Sequence, residues 1–244
     1  MNNQQNTLVV DAGNTSIKIA LFEEKTLAKV VRVDPNDIEQ MKSIYTRYGC
    51  PPTIISSVRS SIETAELLEL FGKGMLASTN IKLPVKIAYE TKSTLGIDRI
   101  CNAVSMAASI PGKNTVCFDI GTCLKVDCVT QDGIYLGGSI APGIDLRFKS
   151  LHDYTAKLPL ISEKKRPSLI GNSTRESILS GVMNGMHAEV TQLIREYELL
   201  WPEAVFFITG GDAHFFDFTH KKNIIIDENL TLKGLFNLYL FNAH

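Results

Sequence analysis

Two short segments of this sequence carry residue types that bind phosphate. Asp11-Ala-Gly-Asn-Thr15 and Asp119-Ile-Gly-Thr122 share the order Asp, any residue, Gly and, one or two positions on, Thr. A glycine lets the backbone approach a ligand closely, amides and a hydroxyl donate to phosphate oxygens, and an aspartate holds a hydrated cation. One such segment alone is typical of an ordinary hairpin turn. Two of them, each after an apolar run, indicate two phosphate loops that clamp a polyphosphate across a cleft.

Charged residues near these loops could do further chemistry. Lys18 follows Thr15 by three positions, where its ammonium could reach a phosphate or could simply be an exposed strand lysine. Asp98 and Arg99 lie side by side just before a predicted helix. Asp98 could accept a proton from an attacking hydroxyl while Arg99 binds a carboxylate or phosphate through its planar guanidinium. The alternative is a helix-start aspartate favoured by the helix dipole, with Arg99 in solvent. The two phosphate loops favour the catalytic interpretation.

Three further segments combine glycines or hydroxyls with a predicted helix start. Gly137-Gly-Ser-Ile-Ala-Pro-Gly143 predicts an anion site at a helix N-terminus or a tight packing turn. In Thr209-Gly-Gly-Asp-Ala213, Gly210 and Gly211 would let a flat ring or a ribose lie against the backbone, although such glycine pairs are common turns. Gly171-Asn-Ser-Thr174 places hydroxyls where helix capping alone explains them. The five histidines have no metal-ligand spacing.

Alternating strands and helices position these residues. In each half of the chain an apolar run meets the loop aspartate and two more strands follow. The predicted strands of these two openings are Thr7–Val10, Ile17–Phe22 and Leu27–Val33, and then Thr115–Phe118, Leu124–Val129 and Ile134–Ile140. The other predicted elements are helices that start near Asp34-Pro35, Ser61, Arg99, Ile144, Thr174 and Leu230, and short strands at Thr53–Ser56, Val85–Ala88, Ala204–Ile208 and Ile224–Ile226. We expect an α/β fold of two related domains, 1–113 and 114–244.

Composition narrows the class of protein. The 244 residues carry 25 Lys+Arg and 26 Asp+Glu, a formal net charge of −1, and 44% of them are hydrophobic. These values are typical of a folded globular protein and give no basic surface for a nucleic acid or an anionic membrane. The first six residues hold no signal region, no apolar stretch is long enough to span a membrane, and the five cysteines form no CxxC pair. We expect a cytoplasmic protein with no nucleic-acid or membrane partner.

Five segments, in this order, resemble the type III pantothenate kinases of the acetate and sugar kinase/actin-like superfamily. The segments are Asp11–Lys18, Gly96–Arg99, Asp119–Thr122, Gly137–Gly143 and Thr209–Ala213. Each segment alone is unspecific, but together they span nearly the whole chain. The resemblance implies two ribonuclease H-like α/β domains, the actin-like ATPase fold, with the nucleotide cleft between them. It also implies ATP-dependent phosphorylation of pantothenate to 4′-phosphopantothenate, the first step of coenzyme A synthesis.

The resemblance further implies roles for matching residues. The implied ATP ligands, with magnesium accompanying the nucleotide, are Asp11, Ala12, Gly13, Asn14, Thr15, Ser16, Ile17, Lys18 and Thr122. The implied pantothenate ligands are Tyr89, Gly96, Ile97, Asp98, Arg99 and Thr174. Asp98 would be the general base, and Asp119 would bind the monovalent cation, potassium or ammonium, that the family requires. Thr174 lies in this family at a two-fold dimer interface, so we expect a homodimer. Replacing potassium by sodium is expected to lower the activity.

The sequence departs from the family pattern at two places. Where the family has Asp-x-Gly-Thr-Ala-x-Thr, Cys123 replaces Ala and Lys125 replaces the second Thr. A lysine there could contact a phosphate or change nucleotide and cation handling, and equal rates in potassium and sodium would point to Lys125 as the cation's substitute. Tyr89 is followed by Glu-Thr-Lys-Ser-Thr where the family usually has Asn-Pro.

Two other functions stay open at the level of sequence. One is a nucleotide-binding regulatory accessory factor of the same family without kinase activity. The other is a different actin-like phosphotransferase or phosphatase with another small-molecule substrate. The presence of Asp98 and Arg99 beside both phosphate loops favours the kinase.

Overall fold

The computed structural model describes residues 6–14, 16–72, 74–218 and 222–243. The chain divides into two compact units, which we call the first unit (Met1–Ala108 with Leu230–His244) and the second unit (Ser109–Asn229). Within the described ranges, none of the helices combines the length and the apolar character that a membrane crossing needs.

Strands and helices alternate along the chain, as the sequence predicts. The strands of the described residues are, in chain order, β1 (Thr7–Ala12), β2 (Ile17–Glu23), β3 (Thr26–Val33), β4 (Thr53–Ser57), β5 (Met75–Leu76), β6 (Lys86–Ile87), β7 (Thr115–Ile120), β8 (Cys123–Val129), β9 (Ile134–Pro142), β10 (Val205–Thr209) and β11 (Ile224–Ile226). The helices are α1 (Ile38–Arg47), α2 (Ser61–Leu70), α3 (Ile97–Ser109), α4 (Ile144–Asp153), α5 (Thr174–Leu200) and α6 (Leu230–Asn242).

β1 lies at the centre of the sheet of the first unit, and nearly all of its side chains are buried. It pairs antiparallel with β2 and parallel with β4, in the sheet order β3-β2-β1-β4-β5. The register places Asp11, near the end of β1, opposite Lys18 of β2 and opposite Ser56 of β4. Side chains of directly opposed residues share one face of a sheet, so these three polar groups lie together.

β7 has the same place in the second unit. It pairs antiparallel with β8 and parallel with β10, and the strands of this unit follow the order β11-β10-β7-β8-β9. Asp119 lies opposite Lys125 of β8 and opposite Thr209 of β10. The repeated topology, three antiparallel strands followed by two parallel ones, confirms the expected pair of ribonuclease H-like domains.

Apolar helix faces hold the helices against these sheets. In the first unit, Met41 of α1 and Leu67 of α2 pack with alternate residues of β1 and β2. In the second unit, α5 buries a stripe at four-residue spacing, formed by Ile178, Val182, Met186 and Val190. Burying each such side chain contributes about 1.5–3 kcal/mol. The polar residues at the strand ends are therefore carried on a rigid scaffold.

Two element starts differ from the sequence prediction. The Asp37 side chain accepts a hydrogen bond from the Gln40 N–H at 2.9 Å and caps α1, so the helix begins at Ile38 rather than at Asp34-Pro35. The segment Thr209–Ala213 leads into a single 3-10 turn, not into an α-helix. Strand β5 was not predicted, because two residues are too short to show a periodicity.

The last helix belongs to the first unit, which differs from the sequence division between residues 113 and 114. α6 packs on β1 and β4, and its Phe236 ring stacks on Phe22 with centroids 4.0 Å apart. A Cβ on Gly234 would overlap the backbone carbonyl of Cys101, so α6 and α3 are in direct backbone contact. The sequence did not show this placement because the buried apolar side chains of α6 do not form one stripe: Leu230, Leu232, Leu235, Phe236 and Leu238.

We predict that Gly234→Ala destabilises the protein. The added methyl group would force α6 away from α3, an overpacking cost of about 1–3 kcal/mol. Gly185→Ala in α5 is the matched control, because no described atom outside its own stretch of helix lies within 4 Å of a Cβ there and alanine is the better helix former. Urea denaturation should give a lower midpoint for Gly234→Ala and an equal or higher one for the control. An unchanged midpoint for Gly234→Ala would contradict the close contact.

Candidate active site

The first phosphate loop joins β1 to β2 in a tight hairpin. The Gly13 N–H donates to the Ser16 carbonyl oxygen at 3.1 Å, and a Cβ on Gly13 would lie 3.0 Å from that oxygen. Asn14 is exposed, and Thr15 lies outside the described residues. Two loop residues have buried side chains and can offer only backbone groups to a ligand: Ala12 and Ile17.

The Asp11 carboxylate is held at the end of β1. The Ser56 hydroxyl donates to Asp11 Oδ1 at 2.8 Å, and Lys18 stands opposite on β2. Among the described residues, no group of three or more His, Cys, Asp or Glu side chains could hold a metal by itself. Magnesium prefers to keep several waters and to bind one or two carboxylates plus phosphates, so an oriented single carboxylate fits MgATP.

Asp98 lies in the first turn of α3. Its Oδ1 accepts a hydrogen bond from the Arg99 N–H at 2.9 Å. A Cβ on Gly96 would lie 2.5 Å from the same oxygen, so a glycine is needed there for the carboxylate to take this orientation. A helix N-terminus also favours negative charge. The structure therefore presents Asp98 as an oriented carboxylate, as a general base requires, with Ile97 half-buried beside it.

Arg99 is not in solvent, which removes one of the two interpretations of this residue. Only 4% of its surface is exposed, and its guanidinium carbon lies 5.8 Å from the centroid of the Tyr89 ring. A guanidinium over an aromatic face is attracted to the ring electrons, so the two residues restrain each other. Tyr89 and Arg99, both expected to bind the substrate, are thus brought together next to Asp98.

Cys101 is a fully buried thiol on α3. Burial raises the pKa of this thiol well above its usual range, and the negative charges of Asp11 and Asp98 raise it further. Both carboxylates therefore act electrostatically on this thiol.

The second phosphate loop turns sharply after β7. The Gly121 N–H donates to the Cys123 carbonyl oxygen at 3.1 Å, and Thr122 at the tip is exposed. Asp119 is 8% exposed, and its Oδ2 lies 2.8 Å from the ammonium of Lys125. Asp119, the expected ligand of the monovalent cation, is therefore paired with the ammonium of Lys125.

Two glycines pack their backbones directly on this loop. A Cβ on Gly143 would overlap the carbonyl oxygen of Gly121, and the Gly143 N–H donates to the Thr122 carbonyl at 3.0 Å. Gly210, in the left-handed region with φ of 97°, lies as closely against Ile120. Both glycine-rich segments singled out in the sequence therefore shape the second loop. The neighbouring Gly211 is exposed.

Lys164 was missed by the sequence analysis. Its ammonium donates to Asp145 at 2.7 Å and to Asp212 at 2.9 Å. Burial lowers the pKa of Lys164, but the hydrogen bonds to Asp145 and Asp212 and the negative charges of these carboxylates together raise it above its usual value. This lysine ties the Thr209–Ala213 segment to the start of α4. The only sequence signal was the charged loop Glu163–Pro167, which does not reveal its partners.

Thr174 is exposed at the start of α5, after the Ser173 cap. It lies at the edge of a groove of about 780 Å³ in the second unit. Leu169 and Ile170, just before it in the chain, are 82% and 84% exposed. Such a pair of exposed apolar side chains marks a surface suited to a protein contact.

Known proteins of one family match this chain over most of its length. The family described as type III pantothenate kinase matches over residues 7–196. A type III pantothenate kinase of Christiangramia forsetii is 37% identical, and the match covers 96% of this chain and 98% of that protein. One of Cytophaga hutchinsonii is 36% identical over 97% of this chain and 99% of that protein.

Solved structures share the fold at low identity. One from Campylobacter jejuni, described as a Baf family transcriptional activator, has a TM-score of 0.63 at 20% identity and covers 97% of this chain and 98% of its own. A glucokinase from an Antarctic psychrotroph has a TM-score of 0.50 at 10% identity over 96% and 98%. These likenesses show the fold alone. The family match and the nearly full-length relatives go further, and by them this chain belongs to the type III pantothenate kinase family.

Proposed function

We propose that this chain transfers the γ-phosphoryl group of ATP to the primary hydroxyl of pantothenate, with Asp98 as the general base. The product is 4′-phosphopantothenate, and the reaction is the first step of coenzyme A synthesis. Family membership supports the two substrates. The observation that carries the mechanism is the Asp98 carboxylate, oriented by the Arg99 N–H in the first turn of α3.

Phosphoryl transfer requires little covalent chemistry from the protein itself. The hydroxyl oxygen of pantothenate bonds to the γ-phosphorus while the bond from that phosphorus to the ADP oxygen breaks, and the hydroxyl proton passes to the Asp98 carboxylate. The protein aligns the hydroxyl and offsets the charge that spreads over the phosphoryl oxygens. The restrained Asp98 side chain aligns the hydroxyl, and the loop amides with Lys18 offset the charge on the phosphoryl oxygens.

The ATP assignment extends over both loops. In this proposal the segment Asp11–Lys18, whose Thr15 lies outside the described residues, and Thr122 bind the phosphates. Gly210 and Gly211 lie against the adenosine. The shape of the loops supports this assignment, because bare backbone amides at glycine turns are what phosphate oxygens accept hydrogen bonds from.

The family resemblance implies two kinds of cation for this reaction. Magnesium neutralises phosphate charge, and the Asp11 carboxylate would hold it together with water and the nucleotide. The monovalent cation, potassium or ammonium, would lie at Asp119. That carboxylate already has the Lys125 ammonium at 2.8 Å, so its fit to a free cation is poor.

Pantothenate binding and dimer formation are proposed together. Tyr89, Gly96, Ile97 and Arg99 would hold the substrate around Asp98, and Thr174 would reach it from a two-fold dimer interface. The exposed apolar pair Leu169 and Ile170 beside Thr174 supports a homodimer on this side.

A cytoplasmic location is part of the proposal. All five cysteines are free thiols, which suits a reducing compartment. The net charge of −1 supports small-molecule substrates rather than a nucleic acid or an anionic membrane surface.

We predict that Asp98→Asn lowers kcat by about 10²–10⁴ and leaves the Kd for MgATP within about twofold of the wild type, because the variant loses proton acceptance but keeps size and helix start. Coupled ADP release with pantothenate and calorimetric ATP titration measure the two quantities. Asp132→Asn, in the exposed hairpin turn before Gly133, is the control, since Asn-Gly and Asp-Gly suit the same turn. Near-normal turnover in Asp98→Asn would remove Asp98 from the mechanism.

We predict that Gly143→Ala weakens MgATP binding by about tenfold or more. The new methyl group must displace the Gly121 and Thr122 carbonyls and thereby the loop that meets the phosphates. The Gly185→Ala variant of α5 serves as the control for the same chemical change at an open position. A Kd for MgATP equal to that of the wild type would show that the loop shape is not needed for nucleotide binding.

A further inference from the structure

The Asp119–Lys125 ion pair occupies the place expected for a monovalent cation. The Lys125 Nζ lies 2.8 Å from Asp119 Oδ2, and the two side chains are only 19% and 12% exposed. A potassium or ammonium ion bound to this carboxylate would stand next to a second positive charge with little water between them. Like charges at such a distance repel, and burial weakens the screening. The residues of this chain therefore do not fit a free monovalent cation at Asp119.

The register of the sheet fixes this ion pair. Asp119 is the residue of β7 directly opposite Lys125 of β8, so both side chains project from the same face at adjacent positions. The strands that carry them are buried among the core of the second unit. The ammonium is consequently held beside the second phosphate loop by the fold itself, without being recruited from solution.

We propose that the Lys125 ammonium replaces the monovalent cation beside the second phosphate loop, so that neither ATP binding nor turnover by this chain depends on potassium. Of these two statements, only the one about turnover rests on the proposed kinase function. Lys125 supplies one positive charge and N–H donors, which are the properties of an ammonium ion, at a position two residues from the loop residue Cys123. Its role is to orient Asp119 and to offset phosphate charge at the loop.

The internal repeat places a lysine in the same way in the first unit. In the first unit, Lys18 lies opposite Asp11 in the same pair of strands and at the same end of the central strand. Both phosphate loops thus carry an aspartate with a lysine directly across from it. The expectation of potassium dependence rested on Asp119 and on the family resemblance, and the structure adds the contact between Asp119 and the Lys125 ammonium at 2.8 Å.

The test measures the Kd for MgATP calorimetrically in potassium chloride and in tetramethylammonium chloride at equal ionic strength. The wild type should give the same Kd in both salts, within about twofold. Lys125→Thr, which installs the residue that the family pattern has, should bind MgATP about tenfold more weakly in tetramethylammonium and recover in potassium. Lys42→Thr, which removes an exposed lysine paired with Glu39 on α1, is the control and should follow the wild type.

Two results would overturn the proposal. One is a wild-type Kd that is several-fold tighter in potassium than in tetramethylammonium, and this comparison decides alone if Lys125→Thr does not fold. The other is a folded Lys125→Thr variant that matches the wild type in both salts. Pantothenate-dependent ADP release in the same salts keeps the kinase function separate. A wild type that binds MgATP but turns over in no salt would count against the kinase, while the Kd values would still decide the role of Lys125.

Discussion

The register of one central strand in each unit is the constraint on which the site depends. β1 and β7 each run between an antiparallel and a parallel neighbour, and the next-to-last residue of each is an aspartate with a lysine opposite on one side and a hydroxyl residue opposite on the other. A shift by one residue would turn every side chain of the strand to the opposite face. The buried apolar residues before each aspartate forbid that shift, so the packing of the core fixes the position of the charges.

The two units use the same strand arrangement with different chemistry. In the first, the Ser56 hydroxyl holds Asp11, which leaves the carboxylate suited to magnesium and water. In the second, the Lys125 ammonium holds Asp119, which gives that loop a fixed positive charge. The proposed general base, Asp98, comes from neither loop but from the start of α3, where the Arg99 N–H orients its carboxylate. Alignment of these groups is the main contribution that a protein makes to phosphoryl transfer.

The sequence predicted the features that local patterns encode. The two loops, the long helix from Thr174 and the α/β class followed from apolar periodicity and from glycines at strand ends. The sequence did not predict contacts between residues that are far apart in the chain. No sequence spacing indicates that Lys164 pairs with Asp145. The sequence of α6 also does not indicate that this helix packs in the first unit, where Gly234 contacts the backbone of Cys101 on α3. Lys125 was visible as a departure from the family pattern, but its partner became clear only from the strand register.

The most direct measurement is identification of the product formed from MgATP and pantothenate, by phosphorus NMR together with quantification of ADP. Catalysis by alignment of the pantothenate hydroxyl with the γ-phosphoryl group predicts a phosphate monoester on the primary hydroxyl, in amounts equal to the ADP and only when both substrates are present. Release of inorganic phosphate without the ester, or no reaction in a folded protein that binds ATP, would contradict the account.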